Sequence, residues 1–248
     1  MPRRFARRRP AIKLPPRSRF AYLAAVTANP FDLTHPAGRR QAVLDYLWKD
    51  HAYLRLRFSN AHWVSPELVR TNQPWPHQLA AWRDRGIKTV INLRGGFDAS
   101  FYALEKEACE RLGLTLVDFT ITSREAPSKA RVRGAKELFE RIAYPALMHC
   151  KSGADRAGIM SVLYRHFRLG EPISVALDQL HIRYLHIRQG KTGVLDYVFV
   201  RYLEEAEPQG ISFLDWVESD AYDPDKLKAE FRAGMFGSLL TDKLLRRE

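Results

Sequence analysis

Residues 145–167, which read PALMHCKSGADRAGIMSVLYRHF, decide the fold of this chain. The short apolar run at 145–150 is typical of a buried strand, and the apolar segment at 157–167 predicts a buried helix. A polar loop that contains Gly153 joins the two. Because a loop at the start of a helix can point consecutive backbone N–H groups inward, this order predicts an anion-binding site.

The surrounding segments alternate between strand and helix patterns. Strands or hairpins are predicted at 63–70, 87–93 and 114–119. Helices are predicted at 38–49, 77–85, 101–112, 128–142, 172–186, 193–205 and 223–247, with Ser128 and Asp223 as N-caps. The alternation favours an α/β fold in which helices flank a central sheet.

Two residues of the polar loop suit phosphate chemistry. A helix N-terminus and nearby cations favour the thiolate form of a cysteine, which makes Cys150 a candidate nucleophile. Arg156 offers a planar fork of donors that matches two phosphate oxygens. The residues expected to bind phosphate are Lys151, Ser152, Gly153, Ala154, Asp155 and Arg156.

The charge of the chain is concentrated at its beginning. Residues 1–19 hold eight arginines and lysines and no acid, out of a net charge of +12. They predict a flexible arm that either is a solvated tail or contacts an anionic membrane surface. Nucleic acid is not expected as a partner, because no nucleic-acid-binding motif accompanies the arm.

Composition points to a cytoplasmic protein that needs no metal. Its two cysteines, Cys109 and Cys150, cannot form a disulfide framework, which indicates a reducing compartment. No apolar stretch approaches the ~18 residues of a membrane span. The histidines lack the spacing of metal ligands, so neither metal nor cofactor is expected. With the basic arm, the expectation is a cytoplasmic location that can extend to the inner face of the membrane.

The residues His149, Cys150 and Arg156 resemble the His-Cys-five-residues-Arg signature of the protein tyrosine and dual-specificity phosphatase superfamily. Residues 60–74 (NAHWVSPELVRTNQP) and 87–95 (IKTVINLRG) are similar to the opening of its bacterial and fungal atypical members. The resemblance covers roughly residues 58–170. It implies a dual-specificity-type fold, with a phosphatase domain at 51–206 between an arm with a helical extension at 1–50 and a helical extension at 207–248.

The resemblance also implies a reaction, the hydrolysis of phosphomonoesters through a phosphocysteine intermediate, with His149 fixing the loop. The general acid has two candidates. Asp155 lies inside the loop, where some branches of the superfamily carry their acid. Asp118 ends a predicted strand, before a loop of the kind that carries the acid in other branches. Asp155 is favoured by a small margin.

Two positions depart from the superfamily pattern. Residue 157 is alanine, where a serine or threonine normally stabilises the thiolate; Ser152 or water is the candidate substitute. Lys151 resembles phosphoinositide-acting members, although their second loop lysine is replaced by Ala154. The substrate therefore remains open between a phosphoprotein, a phosphorylated lipid and a sugar phosphate. The alternative to an enzyme is a pseudophosphatase that binds phosphate without turnover.

Overall fold

The computed structural model describes residues 30–245, with side chains to residue 234, so the basic arm at 1–19 lies outside the described residues. A five-stranded sheet forms the centre, in the order β1-β2-β5-β3-β4. Strand β1 is antiparallel to β2, and the other neighbours are parallel. The strands are β1 (His62–Ser65), β2 (Leu68–Asn72), β3 (Thr89–Asn92), β4 (Thr115–Asp118) and β5 (Ala146–Cys150). The predicted α/β class is confirmed.

Helices cover both faces of the sheet. They are α1 (Pro36–Trp48), α2 (Pro76–Asp84), α3 (Ser100–Leu112), α4 (Lys129–Arg141), α5 (Asp155–Leu169), α6 (Ile173–Ala176), α7 (Val194–Glu205), α8 (Phe213–Glu218) and α9 (Pro224–Leu245). The larger core joins Met148 and Cys150 of β5 to α4, α5 and α7. The smaller core joins Leu147 to α2 and α3 on the opposite face. Strand β5 is buried on both faces, which explains its continuous apolar sequence.

The C-terminal ends of the four parallel strands lie at one edge of the sheet, and each carries polar side chains. Asn72 is the register partner of Cys150, and Asn92 is the partner of both His149 and Asp118. In open α/β sheets, the carboxyl ends of the strands are where ligands bind. The predicted nucleophile and both candidate acids therefore lie at or next to the edge that suits a site.

The helix predicted at 172–186 is wrong. Helix α6 has four residues, and short 3₁₀ turns follow at Leu177–Gln179 and Ile182–Tyr184. The buried Arg70 side chain takes the carbonyl oxygen of Gln179 at 2.7 Å, an oxygen that a continuing helix would use. The N–H of Arg183 turns instead to Nδ1 of His181, at 3.1 Å. A tertiary contact thus outweighs local helical propensity.

The remaining segments match their predictions with small shifts. Helix α1 packs through Tyr46 against Trp75, with ring centroids 4.4 Å apart. This contact positions Asp50, which follows the helix, near the carboxyl edge of the sheet. The caps at Ser128 and Asp223 are confirmed. Helix α8 was not predicted. No helix among residues 30–245 is long and apolar enough to cross a membrane.

Candidate active site

The phosphate loop, defined as residues 150–156, connects β5 to α5. Gly153 has φ of 75°, and its N–H donates to Sγ of Cys150 at 3.2 Å. A Cβ at this position would lie 2.8 Å from backbone atoms of Thr71 and Asn72, closer than real contacts allow. Glycine is therefore required both by the left-handed backbone and by the close approach of β2.

A buried arginine holds the outer side of the phosphate loop. Nη2 of Arg70 donates to the carbonyl oxygens of Gly153 and Ala154, at 2.8 Å each. The guanidinium also lies 4.3 Å above the ring of Tyr184. Burial lowers the pKa of Arg70 to about 10, so the group is charged at neutral pH. Because the peptide bond is planar and trans, these outward carbonyls direct the N–H groups of Ala154 and Asp155 away from Arg70.

Asn60 holds the middle of the loop. Its Nδ2 donates to the carbonyl oxygens of Ser152 and Tyr184, at 2.9 and 3.2 Å. Nε2 of His62 donates to its Oδ1 at 3.1 Å. Burial lowers the pKa of His62, and so favours the neutral imidazole at physiological pH. The loop is thus fixed by side chains from the segment that precedes β1 and from β1 itself.

The two cations of the loop differ in their contacts. Arg156 is half-buried, and its guanidinium makes no hydrogen bond or ion pair with any described residue. Nζ of Lys151 lies 3.3 Å from Oδ1 of Asp50. Arg156 therefore has its donors available for an anion, whereas Lys151 is partly neutralised.

Asp50 gathers three cations beside the loop. Arg94 donates to both oxygens of Asp50, at 3.0 and 2.6 Å. Arg55 and Lys151 each pair with Asp50 too. Burial raises the pKa of Asp50, but the hydrogen bond and charge of Arg94, with the charges of Arg55 and Lys151, outweigh burial and leave the pKa below its usual value. The carboxylate thus balances the positive charge at this side of the phosphate loop.

Asp155 is bound to a buried histidine. Nδ1 of His186 lies 2.8 Å from Oδ1 of Asp155, and Nε2 lies 2.6 Å from Oδ2 of Asp196. Burial lowers the pKa of His186, but hydrogen bonds and charges from the two carboxylates outweigh it and raise the pKa to about 9. His186 is therefore an imidazolium at neutral pH, and it donates to both acids. Asp196 also accepts a hydrogen bond from Nε of Arg188, at 3.0 Å.

Asp118, the other candidate acid, is exposed at the end of β4. Its oxygens accept hydrogen bonds from Nδ2 of Asn92 at 3.0 Å and from the Tyr102 hydroxyl at 2.7 Å. Burial and the contact with Asp118 raise the pKa of Tyr102, which keeps its hydroxyl protonated as a donor. Two neighbouring elements, β3 and α3, thus orient this carboxylate.

Three further residues complete the surroundings of Cys150. Nε2 of His149 lies 2.7 Å from Oε1 of Glu105 in α3, and both side chains are buried. Ala157 is fully buried at the start of α5, in the same core as Cys150. The Ser152 hydroxyl accepts from the N–H of Ala154 at 3.4 Å, so it is engaged with the backbone of the loop.

The structure brings the predicted phosphate-binding residues 151–156 together around Cys150, with Asp118 two strands away. Sequence reasoning missed Arg70, Asp50 and His186 as parts of the site. For Arg70 there was a signal, since a charged residue follows the apolar Leu68 and Val69 in a strand that is buried along its whole length. No local pattern points to Asp50 or His186, because each meets the site only through the tertiary fold.

A comparison with models of known protein families found a match. A family model described as "DSP-PTPase phosphatase fused to NAD+ Kinase" matches residues 64–192, just over half of the chain. The chain belongs to this phosphatase family. The matched range contains the phosphate loop, both candidate acids and all of the sheet except the first two residues of β1 in this DSP-type phosphatase.

Solved structures with a similar fold were also found. P. aeruginosa TpbA is 18% identical with a TM-score of 0.46, over 63% of this chain and 89% of that chain. Tk-PTP in its active form is 18% identical with a TM-score of 0.46, over 59% and 97% of the two chains. PTPMT1 is 14% identical with a TM-score of 0.44, over 60% and 99%. A search among curated proteins found no match.

Proposed function

We propose that this phosphatase hydrolyses phosphomonoesters through a phosphocysteine intermediate, with Cys150 as nucleophile. The observation that carries the proposal is the geometry of the phosphate loop. Sγ of Cys150 lies 3.2 Å from the N–H of Gly153, at the N-terminal end of α5. Backbone N–H groups and the helix dipole favour an anion there, both the thiolate and the phosphate that it attacks.

In the first step, the Cys150 thiolate attacks phosphorus in line with the leaving oxygen. The S–P bond forms as the bond from phosphorus to the leaving oxygen breaks. Arg156, which has no partner among the described residues, would bind two of the phosphate oxygens. Its charge stabilises the negative charge that develops on them in the transition state.

The leaving oxygen needs a proton, and we assign its delivery to Asp118. This carboxyl group is exposed at the carboxyl edge of the sheet, and Asn92 and Tyr102 orient it. Asp155 differs from Asp118 in its hydrogen-bond donor, which is the imidazolium of His186. Asp155 is thus paired with a cation that ties the loop to its support, whereas both donors to Asp118 are neutral, and we therefore assign the proton transfer to Asp118.

In the second step, water attacks phosphorus and the S–P bond breaks. Phosphate leaves and the thiolate is regenerated, so no cofactor is consumed. The residue that donates a proton in the first step accepts one from water in the second. A phosphoprotein carrying phosphotyrosine or phosphoserine, or a small phosphorylated molecule, would satisfy these steps, since both present the same monoester to the loop.

The test is hydrolysis of an aryl phosphate by the full chain. We expect Cys150→Ser to abolish turnover and Cys109→Ser to retain it. Cys109 is a matched control, because it is also buried and its burial raises the thiol pKa to about 12. Rapid acid quenching should trap a phosphate adduct on Cys150, and orthovanadate should inhibit. Turnover that survives Cys150→Ser would refute the mechanism.

A phosphate-binding pseudophosphatase is the second candidate, and buried Ala157 is the observation that favours it. Without a hydroxyl at this position, the thiolate lacks one donor when it leaves phosphorus. The same assay separates the two functions. Binding of inorganic phosphate without any turnover of the aryl ester would support the pseudophosphatase and contradict the enzyme.

A further inference from the structure

Exposed apolar side chains are concentrated in two segments beside the phosphate loop. Segment A comprises residues 48–58 and segment B comprises residues 182–191. Large apolar side chains that are about half exposed or more include Trp48 (63%), Leu54 (62%), Phe58 (52%), Ile182 (60%), Leu185 (48%) and Ile187 (55%). These side chains are far more exposed than core packing would leave them, so the two segments form an unusual surface.

Both segments contact the phosphate loop directly. The carbonyl oxygen of Phe58 accepts from Nδ2 of Asn72, the register partner of Cys150, at 2.6 Å. Asp50 of segment A pairs with Lys151. Asn60, two residues after segment A, donates to Ser152 of the loop and to Tyr184 of segment B. His186 of segment B contacts Asp155 of the loop directly. Both segments therefore lie beside the phosphate loop.

The two segments carry many more cationic than anionic side chains. Segments A and B together hold six arginines and lysines and a single carboxylate, Asp50, which is buried among its cations. Lys49, Arg183 and Arg188 pair with carboxylates outside the segments. Arg57 and Lys191 have no carboxylate partner in the described part of the chain. The exposed charge within the segments is thus entirely positive.

We propose that segments A and B form a docking surface for an anionic lipid bilayer. Apolar side chains interleaved with arginine and lysine suit the boundary between acyl chains and anionic headgroups. A second copy of the chain would place positive surfaces against each other, which costs free energy. Nucleic acid would gain little from aliphatic side chains such as Leu54 and Ile182, which do not stack on bases.

The proposal has a consequence for the substrate, and this part rests on the proposed function. A bilayer that contacts both segments would hold a lipid phosphomonoester at the height of the phosphate loop. The basic residues 1–19 precede segment A in the chain and would add to the same electrostatic attraction. The surface itself is distinct from that arm, because apolar contact as well as charge contributes to it.

The experiment is sedimentation of the full chain with vesicles, either of phosphatidylcholine alone or of an equal mixture with phosphatidylglycerol. We expect binding to the anionic vesicles only. The double variant Leu54→Ser/Phe58→Ser should reduce the partition coefficient at least about tenfold, because two apolar side chains leave the interface. Arg57→Gln should reduce it about fivefold, the contribution of one cation at an anionic surface.

Leu169→Ser is the matched control. Leu169 is 40% exposed at the last turn of α5, roughly 20 Å along the helix from the phosphate loop, and its substitution should leave binding unchanged. Binding of the double variant at the wild-type level would overturn the proposal and leave the arm as the membrane contact. A wild-type dimer that only the double variant dissociates, with vesicle binding unchanged, would also overturn it.

Hydrolysis of a soluble aryl phosphate without vesicles separates the two proposals. We expect the double variant to hydrolyse it at the wild-type rate, because neither side chain belongs to the phosphate loop. If wild type binds anionic vesicles and the double variant does not, the docking surface stands even if neither protein hydrolyses the ester. In that case the proposed function alone would fail.

Discussion

Nδ1 of His186 lies 2.8 Å from Oδ1 of Asp155, the first residue of α5. This contact joins the phosphate loop to the loop that precedes α7, because Nε2 of the same ring binds Asp196 of α7. Two carboxylates on either side of a buried ring keep the ring positively charged. The phosphate loop is therefore tied to α7 through the ring of a residue that lies outside it.

The first prediction concerns stability as a function of pH. The pKa of His186 is raised from 6.5 to about 9, so the folded protein holds this proton more tightly than the unfolded chain does. The stabilisation is fully present below pH 6.5 and is lost as the pH rises through about 9. Measured by chemical denaturation at pH 6 and pH 9, wild type should lose on the order of 2–3 kcal/mol more than His186→Gln does.

The variant in this comparison removes the titrating group and keeps a hydrogen-bonding side chain. Groups that titrate in both proteins cancel in the difference. His181→Gln is a suitable control, because His181 is exposed on the same loop. If wild type and His186→Gln lost the same free energy between the two pH values, His186 would not be an imidazolium held by Asp155 and Asp196.

The second prediction separates the two candidate acids. On an alkyl phosphate, whose leaving group needs a proton, Asp118→Asn should lower kcat about 10²- to 10³-fold. Asp155→Asn should lower it less, through displacement of the phosphate loop. With a nitrophenyl ester, the Asp118→Asn defect should shrink, because this leaving group departs without a proton. A larger and leaving-group-dependent defect in Asp155→Asn would assign the acid to the loop residue that the sequence favoured.

The sheet and the phosphate loop could be predicted because their signals are local. Residues 145–167 contain an apolar run, a glycine and a second apolar run, and this pattern can be interpreted without knowing which distant residues it contacts. Strand β5 and helix α5 begin and end within two residues of the predicted bounds. The helix predicted at 172–186 failed because Arg70, more than a hundred residues earlier in the chain, takes the carbonyl oxygen of Gln179.

The supports of the candidate site could not be predicted, because they come from distant segments. Asp50 can contact Lys151 because α1, which precedes it, packs on Trp75 and Leu104. His186 follows a left-handed Leu185, a conformation that no residue pattern announces for leucine. Residue types at fixed spacing thus indicate which groups we expect to contact phosphate. The residues that hold those groups in place are visible only in the tertiary structure.

The third prediction concerns Gly153. Gly153→Ala would place a Cβ 2.8 Å from the backbone of β2 as well as strain a left-handed residue. Gly170→Ala is a matched control, since Gly170 has φ of 73° at the other end of α5 and its Cβ would meet nothing within 4 Å. Both should lose roughly 1–2 kcal/mol of stability from backbone strain. Only Gly153→Ala should lose more than this and lose orthovanadate binding; equal behaviour of the two variants would show that the close approach of β2 does not matter.

The fourth prediction concerns Ala157, which is fully buried at the start of α5. Ala157→Ser would restore the hydroxyl that the superfamily normally carries at this position, in the same buried core as Cys150. We expect breakdown of the phosphocysteine to accelerate on the order of tenfold, with little change in its formation, because the hydroxyl assists only the sulfur that leaves. Rapid-quench measurement of the burst and of the steady-state rate separates the two steps. Ala135→Ser, at a fully buried alanine of α4, controls for the cost of burying a hydroxyl. Breakdown that is equally slow in wild type and Ala157→Ser would mean that water or the loop backbone already stabilises the leaving sulfur.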